Sequence, residues 1–498
     1  METLGQLKSV MRCCGVSRLY IKRLAPNDNS KNQIYLGGDY SVLNILPFGE
    51  IRTDVSRRDS KRDRYKVDIN LEWLTDTEAT VPAPSAQLIL YPKYPEVRLS
   101  GFLKGCGQAP SPIMTSRDEG RILFLGIRDT GSIVAYAAGP RSGPANEVAA
   151  LKGLPVQGVF EELILDPAGS RQARAVVRES DPSSYLAAPN DPLQQVEFEE
   201  RVLDSTGLAS DAGIPGKGVI GAPAVTFTGH PSGMRLLQEL GRVHRVGWIA
   251  AKLLRADGSL IPCRASNCGG YTLEAELGVS ANGYAEPDFM GWEVKQHGVN
   301  SLDRPHVGVV TLMTPEPTGG AYKQGVENFV RRFGYCDRRG RPDRLNFGGV
   351  YRAGKRVKST GLTLQVPGFD AVSSKITDIA GSIALYSDEG ECAAEWGFPS
   401  LMKHWNRKHA KAVYVPSLCR KEPERSYRYG STVDLGMGTD FTLFLAAMAG
   451  GRIYYDPGIK LENASTPNPV LKRRSQFRVK PADICALYKS FSSVKVAC

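Results

Sequence analysis

The chain contains 498 residues, of which 42% are hydrophobic and 23% are charged, and its mean hydropathy is -0.25. These values exclude disorder as the main state and describe a chain long enough for two or three domains. The most apolar stretch, residues 441–449, is far shorter than the roughly 20 residues of a membrane-spanning helix, and the N-terminus lacks the apolar core of a secretory signal. We therefore expect a cytoplasmic protein with no membrane partner.

The charge balance favours an anionic partner. Lys and Arg number 63 against 52 Asp and Glu, which gives a formal net charge of +11. Such an excess suits either a nucleic acid or an anionic membrane surface. The ten cysteines are scattered without metal-ligand spacing, which disfavours a zinc site and a disulfide framework and predicts reduced thiols.

The N-terminal third has the pattern of β structure. Strand-like runs alternate with turn-rich connections, and the predicted strands cover residues 17–24, 65–71, 86–91, 121–127 and 133–138. We expect an all-β barrel or sandwich over residues 1–170.

Residues 171–231 are rich in Pro, Gly, Ser and Ala and predict a connecting region. Its segment GIPGKG lacks the Ser or Thr that follows Lys in a phosphate-binding loop, so nucleotide hydrolysis finds no support. Residues 232–498 begin with helical spacing and continue with short strands and helices, which predicts a mixed α/β domain with a core of its own.

The most informative motif is P-D-x(4)-E-x-K, formed by Asp288, Glu293 and Lys295. Residues 291–295 predict a strand, on which Glu293, Lys295 and His297 would share one face. A turn before the strand would bring the carboxylate of Asp288 towards that of Glu293. Two carboxylates that converge beside a lysine are costly without a cation, and oxygen ligands suit Mg²⁺. The motif predicts Mg²⁺-dependent phosphodiester hydrolysis, in which Lys295 positions the attacking water or neutralises developing charge.

A further acid comes from the segment TLEAELG, which predicts a short helix that ends at Gly278. Glu274 and Glu276 would lie on nearly opposite faces of this helix, so only one of them can face the site. The alternative for the whole motif is a solvated charged face, which occurs by chance in many proteins.

Several separated blocks between residues 236 and 487 carry a resemblance to a known family. They are GGYTLEAELG, PDFMGWEVKQH, KHWNRKHAKAVYV, FLAAMAGGRIYYDPGIKL and RRSQFRV. In this order they resemble the MvaI/BcnI restriction endonucleases, which are PD-(D/E)XK nucleases similar to the nicking enzyme MutH. The resemblance implies that Asp288 and Glu293 bind metal and that Lys295 is the catalytic lysine. It further makes Glu274 an active-site acid, and His297 matches a family histidine two residues after the lysine.

The N-terminal domain carries a second resemblance. The segments LYIKRLAPND, QIY and RDEGR resemble the EcoRII-type effector-binding domain, a DNA-binding pseudobarrel that grips DNA with two arms. Arginine and asparagine suit contacts with guanine and adenine edges. The implied DNA contacts are Arg23, Asn27, Arg117 and Arg121. The alternative is that Asn27 belongs to a plain turn and that Arg23 is a surface charge.

Basic side chains of the C-terminal half are further candidates for a DNA-facing surface. They are Arg407, Lys408, His409, Arg425 and Arg428. Each suits a phosphate or a base edge, and the alternative for each is a solvated surface residue. His404 and His409 are five residues apart and do not stack on one helix face, which disfavours a paired metal site.

Together the resemblances imply a type IIE restriction endonuclease of a restriction-modification system, active in phage defence. It would cut double-stranded DNA, with CCWGG-type sites as the leading expectation, and a second copy of the DNA bound to the N-terminal domain would stimulate it. We expect a monomer with one active site. Two alternatives stay open, a MutH-like strand-nicking repair endonuclease and a DNA-binding regulator without catalysis.

Overall fold

The computed structural model of the protein describes most of the chain outside the predicted connecting region. The described residues are 1–26, 28, 33–38, 40–54, 64–91, 96–107, 110–151, 154, 156–157, 159–165, 231–265, 267–280, 287–338 and 340–496, with the backbone alone for 156, 157, 231 and 407. The predicted DNA contact Asn27 and nearly all of the predicted connecting region lie outside the described residues.

The described N-terminal part consists of twelve strands and three helices. The helices are α1 (Leu4–Cys13), α2 (Ser111–Thr115) and α3 (Gly143–Ala150). The strands are β1 (Val16–Arg23), β2 (Gln33–Gly37), β3 (Ile51–Asp54), β4 (Arg64–Asp68), β5 (Leu71–Leu74), β6 (Thr80–Pro82), β7 (Gln87–Tyr91), β8 (Glu96–Ser100), β9 (Ile122–Arg128), β10 (Ile133–Ala138), β11 (Val156–Gln157) and β12 (Phe160–Leu163).

These strands form two sheets in the described residues. The order is β11-β12-β1-β9-β10-β5-β6 in the larger sheet and β2-β8-β7-β4-β3 in the smaller one. Alternate residues of β9 face opposite sides: Leu123 and Leu125 belong to the core of the two sheets, whereas Ile122 and Phe124 pack with α1 and α3. The β-rich prediction agrees with this part, but the all-β prediction is wrong about its helices. Because the larger sheet is apolar on both faces, its outer face needs a helical cover.

Arg121 is a buried clamp and not a surface residue. Its side chain is 1% exposed. The guanidinium donates to the carbonyl oxygens of Asp118 (2.8 Å), Ile113 (3.1 Å) and Ala25 (2.9 Å). It therefore ties the segment before β9 to the turn after β1. The expectation that Arg121 contacts DNA is wrong, because its donors are used inside the protein.

The C-terminal part mixes helices and strands, as the sequence predicts. Its helices are α4 (Pro231–Val246), α5 (Cys268–Glu276), α6 (Val326–Phe333), α7 (Phe398–Lys408) and α8 (Phe441–Ala449). Its strands are β13 (Trp248–Ala250), β14 (Lys252–Leu254), β15 (Leu260–Pro262), β16 (Glu293–Gly298), β17 (Val310–Met313), β18 (Tyr335–Cys336), β19 (Arg344–Gly348), β20 (Arg356–Val357), β21 (Leu362–Gln365), β22 (Phe369–Asp370), β23 (Lys375–Ile376), β24 (Ser382–Tyr386), β25 (Cys392–Gly397), β26 (Lys411–Arg420), β27 (Ser426–Tyr429), β28 (Thr432–Met437), β29 (Tyr454–Tyr455), β30 (Gly458–Glu462), β31 (Val470–Lys472), β32 (Phe477–Val479) and β33 (Ser490–Lys495). No helix of the described chain has the length and apolarity needed to cross a membrane.

The sheet that positions the candidate site is ordered β13-β27-β26-β28-β33, and β16 joins it by pairing in parallel with β26. Strand β26 is buried on both faces. Val413 and Val415 pack with α4 and α5, whereas Ala412 and Tyr414 pack with α7 and α8. The sheet is therefore covered on both sides, as expected for a mixed α/β domain.

The N-terminal and C-terminal parts share buried surface. One hydrophobic cluster includes Leu43 of the N-terminal part and Phe441 of the C-terminal part. Asn44 donates to Thr442 Oγ1 (3.2 Å) and accepts from the backbone of Phe441 (3.1 Å), while Asn406 donates to the carbonyl of Leu43 (3.3 Å). The cores are continuous here, whereas the sequence predicted separate ones. The domain boundaries remain a prediction.

One pair of cysteines departs from the expectation of reduced thiols. Cys263 and Cys268 form a disulfide, with their Cα atoms 5.7 Å apart. The turn between β15 and α5 brings the two residues together, a proximity that C-x(4)-C spacing alone does not indicate. The bond ties the first residue of α5 to the preceding chain.

Replacing Arg121 by Ala should destabilise the protein by about 2–4 kcal/mol, because three carbonyl oxygens lose a charged donor and a buried side chain is removed. Urea unfolding measures the change. Arg117→Ala is the matched control, since Arg117 is exposed four residues earlier, and it should leave the free energy of unfolding nearly unchanged. Equal free energies of unfolding for the two variants would contradict the structural role of Arg121.

Candidate active site

Glu293 is the first residue of β16 and has a buried side chain, 1% exposed. Its Oε1 lies 2.5 Å from Nζ of Lys295, two residues along the same strand. This contact confirms that the two side chains share a strand face. The other oxygen, Oε2, is buried and has no hydrogen-bond partner among the described residues.

Asp288 approaches the beginning of β16 through a tight turn. Met290 and Gly291 both have positive φ, at 47° and 82°. For this reason the strand begins at Glu293 and not at Gly291, where the sequence predicted its start. Asp288 Oδ2 accepts a hydrogen bond from the backbone N–H of Val294 (3.0 Å), which fixes this carboxylate beside the strand.

Helix α5 separates its two glutamates as predicted. Glu276 meets Lys252 Nζ at 2.5 Å and Arg242 Nη1 at 3.1 Å. Although burial alone would raise the pKa of Glu276, Lys252 and Arg242 hold it below its ordinary value. Glu274 instead lies within electrostatic range of Asp288. Burial, followed by the charge of Asp288, raises the pKa of Glu274 to about 7.

The charges at this site depend on one another. Burial, reinforced by Asp288, raises the pKa of Glu293, although Lys295 opposes the shift. Burial works against the charge of Lys295, yet Glu293 and then Asp288 and Glu274 raise its pKa above the ordinary value. The ammonium group therefore stays charged because it contacts Glu293 and because the negative charges of Asp288 and Glu274 also favour the protonated form.

The carboxylates fit a divalent cation by their chemistry. Glu293 Oε2 is a buried carboxylate oxygen without a donor, and Asp288 and Glu293 raise the pKa of neighbouring carboxyl groups by repulsion. A bound cation would pair the buried oxygen and reduce the repulsion between the carboxylates. Carboxylate oxygens are also the ligands that Mg²⁺ prefers. Among the described residues, no group of three or more His, Cys, Asp and Glu is arranged as a ready metal cluster.

His297 lies near this site but has other partners. Its Nε2 donates to the carbonyl of Pro305 (2.8 Å), and its buried Nδ1 has no partner in the described chain. Burial lowers the pKa of His297, and the nearby charged groups that act on it are Asp434 and His306. The neutral ring thus anchors the loop after β16.

The predicted DNA contacts are distributed over different environments. Arg117 and Arg428 are exposed. Arg23 is at the surface but donates to Glu161 Oε1 (2.7 Å), and Arg425 donates to the carbonyl of Ala265 (2.7 Å). The side chain of Arg407 lies outside the described residues.

His409 cannot contact DNA as predicted, because its side chain is fully buried and stacks on Trp405 at a centroid distance of 4.2 Å. Burial holds the pKa of His409 well below its ordinary value, and the charge of Lys295 adds to this effect. A histidine directly after an amphipathic helix gave no sequence signal that separated burial from exposure.

Lys408 is the residue whose position the sequence did not indicate. Its Nζ lies 3.5 Å from Glu293 Oε1, so it faces the carboxylates. The signal that was available is topological: α7 ends at Lys408 shortly before β26, the strand that pairs with β16. That pairing is not visible in the sequence.

Replacing Glu274 by Gln should stabilise the chelator-treated protein at pH 8, by roughly 1–3 kcal/mol. In the unfolded chain this carboxyl ionises near pH 4.5, whereas in the fold its pKa is about 7. Above pH 7 the ionised carboxylate of Glu274 therefore lowers the free energy of unfolding, and a Gln at this position does not. This destabilisation becomes smaller as the pH falls towards 4.5. Urea unfolding at pH 8 and pH 5 measures it.

Glu276→Gln is the matched control for that experiment. It should destabilise the protein, because Glu276 loses its charge contacts with Lys252 and Arg242. A larger gain for Glu274→Gln at pH 5 than at pH 8 would contradict the raised pKa.

Comparisons with known proteins identify the family of this site. The solved complex of restriction endonuclease MvaI with cognate DNA substrate is 19% identical over 53% of this chain and 97% of that chain, with a TM-score of 0.39. MvaI in the absence of DNA is 16% identical over 53% of this chain and 98% of that one, with a TM-score of 0.30. A search of curated proteins gives no match. The MvaI/BcnI restriction endonuclease family profile matches residues 237–488, which is half of the chain and contains the whole carboxylate and lysine cluster. The chain therefore belongs to the MvaI/BcnI restriction endonuclease family.

Proposed function

We propose that the protein is a type IIE restriction endonuclease that hydrolyses phosphodiester bonds of double-stranded DNA with Mg²⁺. The observation that carries the proposal is the contact of Glu293 with Lys295 at the beginning of β16, where the backbone N–H of Val294 also holds the carboxylate of Asp288. Family membership supports site-specific DNA cleavage. The resemblance in the sequence supports CCWGG-type sites as the target and a monomer with one active site.

The residues of the site have separate roles in this proposal. Asp288 and Glu293 hold the cation, which when bound polarises the phosphate and activates a water. Lys295 keeps its charge and neutralises the negative charge that develops on the phosphate. Glu274 exchanges a proton near neutral pH, because its pKa is about 7. His297 positions the loop after β16 through its bond to Pro305.

The N-terminal part is the proposed effector module. It is a β-rich unit, the exposed segment that contains Arg117 leads into β9 of its larger sheet, and the chain has a net charge of +11. A positive surface suits the phosphates of a second DNA copy. Because this part shares buried surface with α7 and α8, occupation of one part can influence the other.

Alanine at Asp288, Glu293 or Lys295 should lower the rate of Mg²⁺-dependent cleavage by several orders of magnitude and preserve DNA binding. Each change removes a group that acts on the reacting phosphate. Plasmid cleavage and binding of a labelled duplex measure the two properties. Cleavage by Glu293→Ala at the wild-type rate would reject the site, and Glu276→Gln should cut normally.

A duplex oligonucleotide that carries the recognition sequence should stimulate cleavage of a single-site plasmid by the full chain. Arg117→Ala should weaken this stimulation several-fold and leave unstimulated cleavage unchanged, because Arg117 is remote in sequence from the catalytic carboxylates and exposed. The control is an oligonucleotide of scrambled sequence. If both oligonucleotides stimulate equally, the effector role is wrong.

A further inference from the structure

A surface cavity of about 410 Å³ lies among three segments of the C-terminal part. These are the turn between β19 and β20, the end of α8 and the segment that follows β32. The charged side chains that line the cavity are those of Arg352, Lys355, Lys480 and Asp483. Its described lining includes none of the carboxylates and lysines of the candidate active site. The cavity is therefore a second charged site, in which three cations meet one carboxylate.

The three cationic side chains of the cavity form no ion pair with the part of the chain that the structure describes, whereas basic neighbours of the cavity do. Arg356 meets Asp388 at 2.6 Å, and Arg478 meets Asp456 at 2.5 Å. Like charges that converge in a concave site repel one another, and a bound anion relieves this repulsion. The arrangement therefore favours an anionic ligand.

Arg352 is held in place at the wall of the cavity. It donates from Nη1 to the carbonyl of Gly451, just after the end of α8, and its guanidinium lies 4.6 Å from the ring centre of Tyr454. This position offsets the negative end of the helix, which would otherwise repel an anion. A guanidinium has five N–H donors, so a bond to one carbonyl leaves others for a planar pair of oxygens. A side chain that is already ordered loses little conformational entropy when a ligand binds.

We propose that this cavity binds a phosphate group. Arg352 donates to two of its oxygens, and the exposed ammonium groups of Lys355 and Lys480 supply further positive charge. Asp483 accepts from a hydrogen-bond donor beside the phosphate and repels a second anion. The phosphate comes either from the backbone of bound DNA or from free inorganic phosphate, because both present the same oxygens. The DNA source rests on the proposed function, whereas the free source does not.

The first measurement is calorimetric titration of the full chain with inorganic phosphate in a chloride buffer. Changing Lys355 and Lys480 together to Ala should raise the dissociation constant at least about tenfold, because two charged donors are lost. Asp483→Asn should lower it several-fold, since a like charge disappears. The matched control is Lys358→Ala, an exposed lysine outside the cavity lining, which should bind phosphate as the wild type does. Urea unfolding confirms that the exposed lysines can be replaced without loss of the fold.

The second measurement separates the two sources of phosphate. Binding of a duplex that carries the recognition sequence is measured in Ca²⁺ at several salt concentrations. If the cavity holds a DNA phosphate, the double lysine variant reduces the slope of log affinity against log salt by roughly one. An unchanged slope with weakened binding of inorganic phosphate assigns the cavity to free phosphate. If the double variant matches the wild type in both measurements, the proposal is wrong. Failure of the proposed nuclease is distinguishable, because Glu293→Ala would then cut normally.

Discussion

The parallel pairing of β16 with β26 is the constraint on which the candidate active site depends. It sets Glu293 beside Ala412 and Lys295 beside Tyr414. Because α7 leads directly into β26, the same pairing brings Lys408 to Glu293 from a distant part of the chain. A slip of one residue in this register would turn the carboxylate to the other face of the sheet. The position of both lysines thus follows from one set of backbone hydrogen bonds.

Helix α5, which carries Glu274, packs closely on β16 because Gly269 has no side chain. A Cβ atom at Gly269 would lie 2.6 Å from Gln296 Oε1 of β16 and 3.0 Å from the ring of Tyr427. A larger residue would force the side chain of Gln296 or the ring of Tyr427 to shift. The disulfide at Cys268 holds the chain at the first turn of the same helix. Backbone packing therefore brings like charges together, and the raised pKa of Glu274 is the electrostatic consequence.

The sequence predicted the parts of this site that lie close together along the chain. The alternation of a strand was enough to place Glu293 and Lys295 on one face, and helix geometry was enough to separate Glu274 from Glu276. Burial was harder to predict. Arg121 and His409 have the residue types of DNA contacts, but the carbonyl oxygens around Arg121 and the ring of Trp405 come from packing that local patterns do not encode. Lys408 was assigned to a surface for the same reason, since only the strand order shows what it faces.

The junction between the two parts of the chain bears on the proposed effect of DNA at the N-terminal part on cleavage. Asn406 donates to the carbonyl of Leu43 and belongs to the same helix as Lys408, two residues before it. Asn44 also accepts a hydrogen bond from the backbone N–H of Phe441, the first residue of α8. The ring of Phe441 packs on the ring of Phe398, the first residue of α7. A displacement of the 3-10 turn Tyr40–Asn44 therefore acts on the helix whose last residue meets Glu293. In the proposed effector mechanism, these contacts link the two parts of the chain without passing through the connecting region.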